Sequence, residues 1–211
     1  MQKTQEATIT VTVIETRQIE TGGIFGNRVV YRNREYSTQV SDTGVGRFTP
    51  AQKDTLGKTA QLIVQVGIET GRSIQTIKIF LAMASRKESH LGIGARRDTS
   101  AARNRDPAMD PRINPGQIDA RSGVRPSANN AWYNVNATYD HLENVMQRNF
   151  PNRPSMWNAS LQDRLRYYNG GPRALQIPST LQYANQIMAT MSLISSRSST
   201  ERFNSLGWRI K

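Results

Sequence analysis

Apolar and polar residues alternate from Ala7 to Thr16, a stretch rich in Val, Ile and Thr. That period of two predicts a β-strand. Gly22-Gly23 breaks it. Two shorter strands are expected over residues 24–32 and 35–40, with Asn33-Arg34 turning a hairpin between them. Residues 1–46 therefore read as a small β unit, either a structural arm or a binding element.

After Gly44–Gly46 the period lengthens to that of a helix. Thr49-Pro50-Ala51-Gln52 has the signature of a helix start, with Thr as N-cap, Pro at the first position and Gln three residues on. Leu56, Ala60, Ile63/Val64 and Gly67/Ile68 then share one side, and Gly71 is the expected stop. A second helix repeats the pattern through Ile74, Ile77, Phe80/Leu81 and Ala84, with Gly92 to end it. Residues 92–128 show little periodicity and are rich in Gly, Pro, Asp, Asn and Arg. A loop this long is usually functional or disordered. Helices resume over 130–147, with Tyr139, Leu142 and Val145/Met146 inward. The next spans 158–168, capped by Asn158, with Leu161, Leu165 and Tyr168 in line. The last spans 179–195, where Ser179 and Gln182 form a capping box and Leu181, Ala184, Ile187/Met188 and Met191 form the stripe. Residues 196–211 read as a polar, basic tail. The expected class is mainly α: a helical domain over 47–195 behind a small β extension.

Glu88 stands out within this pattern. It falls four residues after Ala84 and so continues the apolar face of the second helix. A carboxylate there is expensive to keep charged. It also lies in the last helical turn, where the macrodipole is negative. Both influences are expected to raise its pKa, and an acid still protonated near neutral pH can serve as a general acid. The bland alternative is a surface Glu at a frayed helix end.

Composition narrows the chemistry. Twenty-eight basic residues against sixteen acidic ones leave a net charge of +12 over 211 residues. That charge attracts polyanions: nucleic acid, acidic membrane or anionic cell wall. Arg96, Arg97, Arg103, Arg105, Arg112, Arg121 and Arg125 crowd the long loop, as a solvated face or as an attractor of anionic polymer. Aromatics are not interleaved with them, and no groove- or strand-reading motif appears, which argues against nucleic acid. Gly92-Ile93-Gly94 lacks the Lys-Ser/Thr of a phosphate loop. With no cysteine and only His90 and His141, neither a disulfide framework nor a thiolate or His-rich metal centre is expected, and no cofactor is called for. No run of 18 apolar residues exists to insert into a membrane. The opening Met1-Gln-Lys-Thr-Gln-Glu6 has no apolar core behind it, so no signal peptide is expected.

Three segments carry a wider pattern: Ser85-Arg-Lys-Glu88-Ser89-His90-Leu-Gly92, Pro115-Gly-Gln117-Ile118-Asp119-Ala-Arg-Ser122, and Arg166-Tyr-Tyr168-Asn169-Gly-Gly-Pro172. A fourth, Leu181-Gln182-Tyr183-Ala184, follows. Their order and separations resemble goose-type lysozymes and the related lytic transglycosylases, over about residues 50–195. Two departures stand. Asn114-Pro115 replaces the usual Leu-Met before the Gln, and residues 1–46 have no counterpart.

The resemblance implies a lysozyme-like fold and cleavage of the β-1,4 bond between N-acetylmuramic acid and N-acetylglucosamine in peptidoglycan. Glu88 takes the place of the general acid. Asp119 matches the acid of the middle segment, and Asp98 or Asp106 the other loop acid; Asp110 is a further nearby carboxylate. An inverting hydrolase needs a gap of about 6.5–9.5 Å between its two carboxyls. If no Asp reaches, a lytic transglycosylase is implied, in which the sugar's own 6-hydroxyl attacks. Ser89, His90, Gln117, Ile118, Tyr168, Asn169 and Tyr183 fall at substrate-binding positions. Each has a plainer alternative: Ser89 as a helix-end cap, His90 as structural, Gln117 bonding its own loop, Tyr168 packing with Leu161 and Leu165.

Expected partners are peptidoglycan glycan strands, a carrier protein held through the β unit, and an inhibitor or immunity protein. Such a product would reach the wall as a phage lysin, a virion-associated enzyme or an injected effector. The competing class is a basic wall-binding or nucleic-acid-binding protein without catalysis.

Overall fold

The structure, a computed structural model, describes residues 6–19, 28–41, 48–88, 91–92, 106–119, 123–147 and 159–203. Among them the chain is mainly helical, with one three-stranded antiparallel sheet. Strands β1 (Glu6–Ile19) and β2 (Arg28–Ser41) come first. Helices α1 (Pro50–Glu69), α2 (Ile74–Met83), α3 (Ala131–Gln147), α4 (Leu161–Gly170) and α5 (Pro178–Leu193) follow. Strand β3 (Ser195–Phe203) closes the order.

The sheet departs from expectation twice. Asn33 and Arg34 are not a turn; they sit mid-strand in β2, opposite Ile14 and Val13 of β1. Asn33 tolerates φ > 0, but Arg34 follows it where a tight turn wants Gly, so nothing there stops the strand. Ser195, expected to end the last helix, and residues 196–203, expected as part of a tail, form β3 along β2, from Ser195 opposite Ser37 to Phe203 opposite Val29. Its Ser/Arg-rich composition hides it, because a strand held by backbone pairing needs no apolar alternation of its own.

α1 begins as expected. Thr49 Oγ1 accepts from Gln52 N at 3.2 Å, and Gln52 Oε1 accepts from Thr49 N at 2.8 Å. Gly71, at φ 72°, lets the chain leave the helix. Ser73 caps α2. Ile74 is 45% exposed, since the first turn of α2 lies ahead of its packing face; Ile77, Phe80 and Leu81 are buried. α4 is capped by Ser160, whose Oγ accepts from Asp163 N at 3.1 Å, while Asn158 lies outside the described residues. α5 starts at Pro178 with no side-chain cap, so Ser179 and Gln182 form no capping box. Its buried side holds Thr180, Tyr183, Ala184 and Ile187, leaving Leu181 and Met188 outward.

One core joins sheet and helices. Ile9, Val11, Tyr36 and Val40 lie in the same buried cluster as Leu56, Ile63, Phe80, Tyr139, Leu165 and Ile187. At its centre Tyr139 Oη donates to Ile63 O at 2.8 Å, and the ring meets Phe80 edge-on at 4.9 Å. Burial pushes that hydroxyl well above the ordinary tyrosine range. Arg72, in the α1–α2 turn, reaches Asp140, Glu143 and Asn136 on α3. These contacts fix α1, α2 and α3 against one another, and α5 packs across α2 and α4.

Candidate functional site

Glu88 does not end a regular helix. The last five residues of the second helical segment, Ala84–Glu88, form a π turn. Such widened turns are rare and often sit at functional sites. Leu91 N then donates to Ala84 O at 2.9 Å, and Gly92 adopts φ 90°. A Cβ on Gly92 would lie 2.5 Å from Thr59 Oγ1, so the chain presses against α1 as it leaves. The turn packs on α5 and on β2.

The carboxyl of Glu88 is carried inward, with 8% of the residue exposed. There it meets Tyr183 of α5, 2% exposed, whose Oη donates to Glu88 Oε1 at 2.7 Å. Two opposed influences act on the acid. Burial disfavours the anion, and the donated hydrogen bond favours it.

Tyr168, in the last turn of α4, faces the same region. Its hydroxyl is raised well above the ordinary tyrosine range, first by burial, then by the negative fields of Glu88 and Asp119. The phenol is therefore a fixed neutral donor within electrostatic reach of both carboxyl groups. Its ring lies 5.1 Å from that of His141, tilted by 53°. Tyr168 is half-buried and packs with Leu161 against the core, so the packing role is also filled. Asn169 follows it, half-exposed.

The middle segment is shaped by Asn114, a residue the sequence reading did not single out. Its fully buried amide donates to Ile118 O at 2.8 Å and Ala108 O at 3.1 Å, and accepts from Ile118 N at 3.1 Å. That clasp folds residues 114–118 into a tight bend and presents Asp119 beyond it. Gly116 lets the bend lie on α3: a Cβ there would stand 2.4 Å from Thr138 Cγ2. The signal was Asn-Pro-Gly inside a loop, read only as a departure from the family pattern.

The other expected site residues fall variously. Gln117, at φ 49°, spends its amide hydrogens on its own loop, at Asn114 O (2.7 Å) and Met109 O (3.3 Å). That is the plainer of its two expected roles. Ile118 is 3% exposed and serves as core. Asp106 is exposed, and its Oδ1 caps the short turn Pro107–Met109 through Ala108 N at 2.9 Å. Asp110 holds Arg112, which keeps its carboxyl below the ordinary range. Ser89, His90 and Asp98 lie outside the described residues, as do Arg96, Arg97, Arg103, Arg105 and Arg121. The structure thus brings together Glu88, Tyr183, Tyr168 and Asp119.

Among the described residues, no group of three or more acidic, His or Cys side chains is placed to hold a metal ion. No described helix is long and apolar enough to cross a membrane. The chain matches no protein-family model, and no curated protein or solved structure matches it.

Proposed function

We propose that this chain is a lysozyme-like peptidoglycan hydrolase that cleaves the β-1,4 bond after N-acetylmuramic acid, with Glu88 as general acid. The observation that carries the reading is the buried pairing of Glu88 with Tyr183. A carboxyl drawn into a core by a widened helical turn, where a phenol donates to it, is costly as structure alone. As chemistry it has a use. Tyr183 fixes Oε1, so the proton to be delivered rides on the other oxygen. It passes to the glycosidic oxygen as the bond breaks through an oxocarbenium-like transition state.

Asp119 is the second carboxylate of this reading. Its negative field reaches the phenol that Glu88 also reaches, which fits a residue that steadies positive charge or directs a water. Tyr168 supplies a neutral donor within the electrostatic reach of both. Asp106 and Asp110 are spent on their own loop and take no part. The order of segments along the sequence adds support from a different direction.

The test is clearing of purified peptidoglycan, followed by turbidity. Wild type clears, and Glu88→Gln is slower by roughly 10²–10⁴-fold, the scale of a lost general acid. Equal clearing by both proteins would remove Glu88 from the mechanism. Tight wall binding without clearing by either would make the chain a binder.

A further inference from the structure

Eight large apolar side chains are exposed on the described surface, and only Trp132 and Tyr133 of these are aromatic. They sit side by side in the first turn of α3, 42% and 43% exposed. Tryptophan is highly buried on average, so a ring left 42% exposed stands out. Here the ring stays in water and is held in place. Its Nε1 donates to Glu69 Oε2 at 2.9 Å, and Gln65 Nε2 donates to Glu69 Oε1 at 2.7 Å. Those two donors, Trp132 first, hold the Glu69 carboxyl below its ordinary range, so the clamp is closed at neutral pH. Among the described residues neither ring stacks on another ring or on a guanidinium.

A pre-oriented aromatic face with amide and carboxylate groups at its edge offers a ligand both apolar contact and hydrogen bonds. Holding the ring beforehand lowers the ordering cost of binding. The corner is also locally acidic. Asp140 and Glu143 share the single charge of Arg72, and Glu69 adds another carboxylate. Anionic polymers, which the +12 chain attracts elsewhere, are disfavoured here. A neutral sugar suits the corner: its C–H face lies on the indole, and its hydroxyl and amide groups bond to the rim.

We propose that Trp132, Tyr133, Glu69 and Gln65 form a second, non-catalytic platform that binds the neutral N-acetylglucosamine units of a glycan strand. The platform lies at the opposite end of the second helical segment from Glu88. The 15 residues from Ile74 to Glu88 are separated by 14 rises and span about 20 Å at 1.5 Å per rise. That is the reach of several sugar units, so a strand gripped at Trp132 is held for the distant acid. The ligand class rests on the peptidoglycan reading.

The experiment follows the indole N–H of Trp132 by two-dimensional NMR while an N-acetylglucosamine tetramer is titrated into Glu88→Gln protein. The Trp132 signal shifts saturably. Binding followed at Tyr133 weakens about ten-fold in Trp132→Ala, the scale of one lost aromatic stacking surface. Trp132→Phe, which keeps a ring and the helix start, weakens it less. An unmoved indole, or equal binding by wild type and Trp132→Ala, would overturn the platform. A shift with tetramethylammonium but not with sugar would also overturn it and make the site a cation cage. Wall clearing reads Glu88 separately. Clearing with a silent indole retires the platform alone, and a shifted indole without clearing retires the hydrolase alone.

Discussion

Tyr183 and Glu88 lie 95 residues apart in sequence and 2.7 Å apart in space. Replacing Tyr183 with Phe keeps the ring and removes the donor. A buried carboxyl left without that bond costs the fold about 1–3 kcal/mol, measurable as a lower urea midpoint. The donor favours the anion, so its loss makes Glu88 harder to ionise. The alkaline limb of the activity profile therefore moves to higher pH in Tyr183→Phe; an unmoved limb would show that the bond does not tune the acid. Glu69 behaves in the opposite sense. Its folded pKa lies below the ordinary 4.5, so its stabilising contribution is complete above that value and fades as pH falls through the folded pKa. The stability gap between wild type and Trp132→Phe, small because Glu69 is exposed, narrows in acid. The burial of Glu88 was legible because one residue interrupted an apolar stripe. That of Asn114 was not, because a buried amide serving three backbone atoms looks the same in sequence as any loop Asn.

Helices were more legible than the strands that complete the fold. α1 announces itself through Thr49, Pro50 and Gln52, whose reciprocal bonds are local chemistry. β3 depends on meeting β2 across more than 150 residues of chain, which no local pattern encodes. α5 was rotated in the reading because Leu181 and Met188 are apolar yet outward, while Thr180 and Thr190 face in. Thr180 can do so because its hydroxyl donates to Ala174 O at 2.6 Å. The sheet proves to be part of the core rather than an appendage. Tyr36→Ala is expected to cost roughly 3–5 kcal/mol, as truncation of a buried aromatic does. Removing residues 1–46 strips four core side chains and the partner of β3, so the remainder loses a cooperative unfolding transition in calorimetry. A fragment that still melts cooperatively would show that the helices stand alone. At the middle segment, Gly116→Ala pushes the loop off α3. The expected loss is about 1–3 kcal/mol, because buried, β-branched Thr138 has no room to yield. Wall clearing falls with it, since Asp119 shifts; full activity with lowered stability would separate loop packing from catalysis.

For the whole molecule, the net charge of +12 acts at long range. Retention on anionic wall is expected to fall between roughly 0.05 and 0.5 M salt, as the screening length shrinks from above 10 Å to a few ångströms. Binding at the Trp132 corner, with its fixed aromatic surface, stays nearly constant over the same range. On the proposed reading the surfaces divide the work: general basicity gathers the polymer, the Trp132 platform at the start of α3 grips it, and Glu88 at the end of the second helical segment cleaves it.

The most direct measurement is the identity of soluble fragments released from purified peptidoglycan, read by mass spectrometry for wild type and Glu88→Gln side by side. Wild type is expected to release muropeptides with an intact reducing-end N-acetylmuramic acid, and the variant almost none. Anhydro ends from wild type would make the chain a transglycosylase with the same acid. The same fragments at the same rate from Glu88→Gln would contradict the account at its centre.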